Sequence, residues 1–466
     1  MKKCVCLFGF LVATTALFTR EIQWDWTKIK ETHISFPEHF LWGCSDSATQ
    51  TEGAETVGGR LVENSWTDFE KEKNIQDRVG RGCQRWVRYE SDFDLLAAIG
   101  MNTDRFSIEW CKYEEQEGQF NEAVLDHYEQ VVDALLRRNI TPFITLFHHT
   151  LPRWFLAKGG FESEENIQYF KRFALKVFDR LHAKVPYWII LNEPAAYALA
   201  GYFRGNYPPC KKNFRLTGTV IWHQLSAHVQ IATEFKLRDP QVKVGITHMC
   251  QPIDAYSSYN PIEKMATKFL SYLVNETTIQ FFKTGKFRWT NRPWAIGKDL
   301  RAPQTLDFIG INYYTHTVIK QTGLFSMSAK ARPEDRLICM HDNEERIKIL
   351  YPEGLYRSIV RAAKLGIPIF ITENGAPTDD VTLKTEYLKK HLYVISRAIA
   401  EGYDVRGYFY WTLTDCYAWT HGFENKHGIY AVDFKTQERT LRPAVDYLLQ
   451  VIREHKKRWR FMRTIE

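Results

Sequence analysis

Glu193 closes the apolar run "PYWIILNEP" (186–194), and Glu373 closes "IPIFITENG" (367–375). Two carboxyls facing one another across a sugar are what glycoside hydrolysis requires. One must be protonated, to give its proton to the leaving oxygen; the other must be ionised, to attack the anomeric carbon. A metal centre is the competing use of such carboxylates together with His148 and His149, which stand side by side in "TLFHHTLPRWF" (145–155). It calls for compact ligand spacing such as HxxEH, and the chain has none. Taken alone, the histidine pair reads as structural residues at a strand end.

The elements that must position these groups are legible as eight short β-rich runs, near 39–50, 102–110, 141–149, 186–194, 243–251, 307–315, 367–375 and 405–415. Helical patterns lie between them, at 122–139, 166–184 and 385–402, with Gly402 as the expected C-cap of the last. Alternating strands and helices imply a parallel sheet, and eight units predict one (β/α)8 TIM barrel of the α/β class with enlarged βα loops. The structural alternative is a doubly wound sheet. Its Gly-rich phosphate loop is missing after the first strand, where the sequence reads "GCSDSATQTEGA". In a barrel the chemistry collects where strands end. The side chains at those ends are Gln50, Arg105, His148 with His149, Asn192 with Glu193, Asn312 with Tyr314, Glu373 and Trp411.

Composition bounds the partners. The 466 residues are 44% hydrophobic and 25% charged, with 14% aromatics and fourteen Trp, so the chain is globular and rich in flat faces that suit sugar rings. A net charge of +7, dispersed over that length, gives no nucleic-acid footprint. Nine scattered cysteines form neither a zinc pattern nor a disulfide framework. Residues 1–20 place "MKK" before an apolar stretch of about fifteen residues, too short to span a bilayer; they read as an export signal or N-terminal anchor, with cytoplasmic residence as the alternative. The domain is expected over 36–455 and a basic tail over 456–466. That tail reads as the solvated end of a last helix, or else as a membrane-surface contact.

"LNEP", "ITENG", "SATQTEGA", "RFSIEW", "LFHHTLP", "DFIGINYYT" and "YFYWTLTD" occur in the order in which glycoside hydrolase family 1, the β-glucosidase family, carries similar segments. The chain resembles that family over about 36–450. The resemblance implies a retaining, double-displacement β-glucosidase or β-galactosidase with Glu193 as acid/base and Glu373 as nucleophile, and neither cofactor nor metal. Arg105 and Tyr314 would favour the ionised form of Glu373, whereas Glu193, beside neutral Asn192, would keep a raised pKa. Gln50, His148 and Asn192 would hydrogen-bond the sugar, with Asn312 and Tyr314 nearby. Trp411 would form its platform, and Trp419 would lie beside it. Three positions depart from the family pattern. His149 stands where Trp is usual, Thr150 stands where Asp is common, and Ala418 stands where a Glu grips the outer hydroxyls of the sugar. Members acting on 6-phosphorylated sugars also lose that Glu and gain a Lys and a Tyr, a pattern that Lys426 and His427 do not reproduce. The alternatives are a transglycosylase resembling the galactolipid galactosyltransferase branch, a 6-phospho-β-glycosidase, and a non-catalytic glycan-binding protein.

Overall fold

The computed structural model describes residues 22–31, 33–290, 296–324, 326–339 and 348–463. Eight strands form a closed barrel: β1 Leu41–Ser45, β2 Thr103–Ser107, β3 Thr141–Phe147, β4 Tyr187–Asn192, β5 Lys243–Met249, β6 Phe308–Asn312, β7 Ile369–Asn374 and β8 Val405–Trp411. Each strand pairs in parallel with its neighbours in sequence, and β8 closes on β1. The fold is the expected (β/α)8 barrel.

The helices form where apolar spacing demands them. Glu122–Arg137 buries Val124, Leu125, Tyr128, Val131, Val132 and Leu135 on one face, and Ile167–Leu181 does the same with Phe170, Phe173, Val177 and Phe178. Each such fully buried Phe contributes about 1.5–3 kcal/mol relative to exposure. The last of the three expected helices runs Val381–Ala400, starting earlier than its apolar pattern indicates. Asp380 caps it by accepting from the backbone N–H of Leu383, which favours helix in the first turn despite its β-branched residues. Gly402, at φ 94°, ends the helix as expected.

The floor of the barrel is an apolar layer of Phe143, Ile189, Phe308, Phe370 and Phe409, with Tyr187 stacked on Phe143 at 4.1 Å. Polar side chains can therefore collect only at the other end. The long stretches after β5 and β6 are excursions of the barrel: a three-stranded sheet (Ile253–Ala255, Thr317–Gly323 and Ser326–Ala329) and short hairpins.

Two expected boundaries move. The packed chain begins before residue 36: Trp24 N–H and Trp26 Nε1 both donate to Glu353 Oε1, at 2.9 and 2.8 Å, and Trp24 lies against Tyr356 and Arg397. At the other end, the final helix Asp446–Arg463 runs through the expected break at 455/456. Its His455, Arg458 and Trp459 side chains are tied to Pro37, Ser35 and Phe36, so the start of the basic tail is part of the domain. The segment 1–20 lies outside the described residues. Among the described residues, no helix is long and apolar enough to cross a membrane, and no group of ligands could hold a metal ion.

Candidate active site

Glu193 and Glu373 come to the same mouth because both stand at the C-terminal ends of parallel strands of one barrel, β4 and β7, and both strands slip register there. The pairing of β4 with β5 shifts between Ile189 and Asn192; that of β7 shifts between Ile371 and Glu373 against β6, and between Ile371 and Asn374 against β8. Every register shift in the barrel involves one of these two strands. A bulge breaks strict alternation and re-aims a side chain. It lets Thr372 bond Asn312 while adjacent Glu373 meets Arg105.

Arg105, fully buried on β2, holds the centre. Its Nη1 donates to Glu373 Oε1 at 2.5 Å, its Nη2 to Asn192 Oδ1 at 2.7 Å, and its Nε to Thr145 Oγ1 at 3.0 Å. Tyr314 donates to the other oxygen of Glu373 at 2.7 Å. Glu193 has a different partner: the neutral amide of Asn312, whose Nδ2 donates to Oε1 at 2.9 Å. Asn192 Oδ1 also accepts from Thr247 Oγ1 at 2.6 Å and Asn312 Nδ2 at 3.1 Å. Asn312 Oδ1 in turn accepts from Thr372 at 2.7 Å. Gly310 makes this lattice possible, because a Cβ there would lie 2.5 Å from Thr372 Oγ1 and 2.7 Å from a Thr247 methyl.

Burial pushes the Glu193 carboxyl up to about 8, with the Glu373 charge adding to the effect. Burial also raises Glu373, which differs from the expectation. Arg105 and Tyr314 pull it down as expected, but they do not fully offset desolvation. The order of ionisation is still set by the pairing. The carboxylate on the guanidinium is the better stabilised anion, and the one bonded to an amide is the better retained acid.

The other expected residues gather around this pair. Asn192 Nδ2 donates to His148 Nε2 at 3.1 Å, which leaves His148 Nδ1 as the N–H; it is buried with no protein partner among the described residues. The His148 ring lies 6.0 Å from Trp411 and 6.5 Å from Trp419. Trp419 packs edge-on against Trp66 at 4.7 Å. Gln50, buried in the helical turn after β1, donates to the Tyr417 carbonyl at 2.6 Å and accepts from Ser47 at 2.8 Å. It therefore fixes the loop that carries Ala418 and Trp419. Ala418 is half-buried, and Glu424 on the same loop is exposed. Sequence reasoning missed Thr145, Thr247 and Thr372. Their signal was a Thr breaking an apolar run near the end of its strand.

These strand ends hold a paired acid and anion, a cation and a lattice of amides beside two indoles. The family model for Glycosyl hydrolase family 1 matches residues 32–457. The chain belongs to glycosyl hydrolase family 1. It is a β-glycosidase that hydrolyses O-glycosyl compounds with retention through two carboxylates. It is 29% identical to beta-glucosidase A of Acetivibrio thermocellus, over 91% of this chain and 99% of that one. It is also 29% identical to the 6-phospho-beta-galactosidase of Staphylococcus haemolyticus, over 86% and 95%. The solved beta-glycosidase from Pyrococcus horikoshii superposes with a TM-score of 0.78 at 32% identity, covering 91% of this chain and 98% of that one.

Proposed function

We infer that Glu373 is the nucleophile and Glu193 the acid/base of this family 1 glycosidase. The observation that carries the assignment is the asymmetry of partners. Arg105 pairs with Glu373, and a neutral amide bonds Glu193. In the first step the Glu373 carboxylate attacks the anomeric carbon, the bond to the aglycone oxygen breaks, and Glu193 gives that oxygen its proton. In the second, Glu193 takes a proton from water as the water oxygen attacks the same carbon and releases Glu373. His148, Asn192 and Gln50 bind hydroxyls, and Trp411 and Trp419 flank the ring. Arg105 keeps the nucleophile ionised between turnovers.

The test is azide rescue. Glu373→Ala abolishes turnover. Glu193→Ala retains the first step only for good leaving groups, and added azide then releases a β-glycosyl azide. An α-azide, or wild-type rates in both variants, overturns the roles.

One observation favours a second reading of the glycone. His427, buried beside the Tyr314 ring, is held well below its ordinary pKa, first by burial and then by Lys348, Lys384, His421 and Arg442. Lys348 lies over the Tyr314 ring at 5.3 Å, and Lys384 donates to the Lys426 carbonyl at 2.9 Å. Arg442 is already paired with Asp415 and Asp379, but Lys348 and Lys384, with Ala418 in place of a carboxylate, suit an anionic substituent such as a 6-phosphate on the same β-linked sugar. The apolar segment within residues 1–20 further supports export or N-terminal anchoring of the enzyme.

A further inference from the structure

His149 takes no part in either chemical step, yet it touches the acid/base through the backbone. Its Nε2 lies 3.2 Å from the carbonyl oxygen of Asn192. That carbonyl and the N–H of Glu193 belong to one peptide unit. The N–H end donates to the Thr247 carbonyl at 3.0 Å, so the unit is held at one end by β5 and at the other by His149. A carbonyl accepts, so Nε2 carries the ring hydrogen and Nδ1 is bare. Nδ1 is buried with no partner among the described residues, and burial holds the imidazole down at about 4, so the ring is neutral and this tautomer persists at neutral pH.

The peptide unit matters because it sets the backbone of the acid/base. Glu193 sits at φ 47°, in the left-handed region that a residue with a Cβ rarely adopts. It does so at the start of the short helix Pro194–Ala198, whose Tyr197 ring faces His149 at 5.9 Å. Rotation about the N–Cα bond of Glu193 is referenced to the plane of the Asn192–Glu193 peptide. Freeing the carbonyl end lets that plane turn and the strained φ relax, and the carboxyl swings away from the leaving oxygen. On its other side His149 stacks on Trp419, with centroids 6.0 Å apart. One imidazole thus spans the indole wall and the backbone of the acid/base.

We propose that His149 is a positioning residue for Glu193, clamping the Asn192–Glu193 peptide through its Nε2–H. This rests on Glu193 being the acid/base.

The test compares kcat/KM, which reports the first chemical step, for aryl β-glycosides with good and poor leaving groups, using the glycone that the wild type turns over fastest. A misplaced acid harms only the substrate that needs its proton. For His149→Phe, kcat/KM on the 4-methoxyphenyl glycoside falls about 10- to 100-fold, since general acids contribute about 10²–10⁴ and small misplacements lose much of that. On the 2,4-dinitrophenyl glycoside it stays within about threefold. His149→Gln, whose amide nitrogen can stand where Nε2 stands, restores most of the loss; His149→Asn, one methylene shorter, does not. That Gln–Asn difference decides the matter if the Phe variant fails to fold. Equal losses on both substrates, or equal behaviour of Gln and Asn, overturn the proposal. Glu193→Ala is run alongside. If it shows the leaving-group split and His149→Phe does not, the clamp alone is wrong; if it shows no split, the acid/base assignment and the clamp fall together.

Discussion

Arg105→Met keeps the apolar stem and removes the charge on which the division of labour between the carboxyls depends. The guanidinium and the Glu373 carboxylate are in direct contact at 2.5 Å, and both are buried. Taking their charge centres as about 4 Å apart in an effective dielectric of about 20, the attraction is about 4 kcal/mol. At 1.36 kcal/mol per pH unit, its loss raises the Glu373 pKa by about three units. The roles set the sign. Activity appears as pH rises through the pKa of the nucleophile, which must be ionised. It disappears as pH rises through that of the acid, which is held at about 8. In the variant the first limb moves up toward the second, which rises less because Arg105 is only a lesser influence on Glu193, and the bell narrows. At pH 7, kcat/KM for a poor leaving group falls about 10- to 100-fold. A 2,4-dinitrophenyl glycoside does not need the acid, so its rate recovers as pH rises toward about 9–10. Stopped-assay pH profiles on both substrates, with thermal melts to confirm folding, measure this. An acidic limb within about half a unit of wild type refutes the charge argument.

Ala418→Glu supplies a carboxylate at the outer edge of the sugar. A charge-assisted hydrogen bond is worth about 1.5–3 kcal/mol, so the variant gains about 10- to 100-fold on plain aryl glycosides and loses on 6-substituted ones. Loss on both classes, or efficient wild-type turnover of plain glucosides, removes Ala418 as a specificity determinant. Export is read by fractionation and N-terminal sequencing. The expected protein is processed near residue 16 or held at a membrane, and a soluble cytoplasmic chain beginning at Met1 or Lys2 contradicts it.

The barrel was legible because its signals are local. Each strand is a short apolar run, and each site residue sits where its run ends. His148, Asn192, Glu193, Asn312, Tyr314 and Glu373 needed only a strand end and a shared face. What was not legible depends on pairing across the sheet. The register shifts in β4 and β7 arise from neighbours far away in sequence, so the re-aiming of Glu373 relative to Thr372 could not be read from "ITENG". Gln50 reads as a sugar ligand from its place after the first strand, but its further bond to the Tyr417 carbonyl joins residues 367 apart and could not be read there. Trp24 and Trp26 fell before the expected domain because their partner, Glu353, is in another helix. Desolvation of Glu373 is likewise a property of the closed barrel and not of its motif.

The loop that lacks the family Glu is nonetheless tightly held. Gln50 fixes it at Tyr417. Asp415 accepts from Gly428 N–H and from both Nη atoms of Arg442, at 2.6–2.9 Å, and Lys384 holds the Lys426 carbonyl. The Ala418 N–H donates to the Gly422 carbonyl at 2.6 Å. On the other side of the site, Gly375 allows the chain after Glu373 to pass close to the Trp411 carbonyl, where a Cβ would collide. A loop collapsed around a missing side chain would have given up such anchors. Because they are present at both ends, the small side chain at 418 acts as a change of lining within a fixed frame. On the proposed roles, the expected effect of Ala418 therefore falls on which substituents the outer edge of the sugar can carry, with the catalytic pair and its cation unaltered.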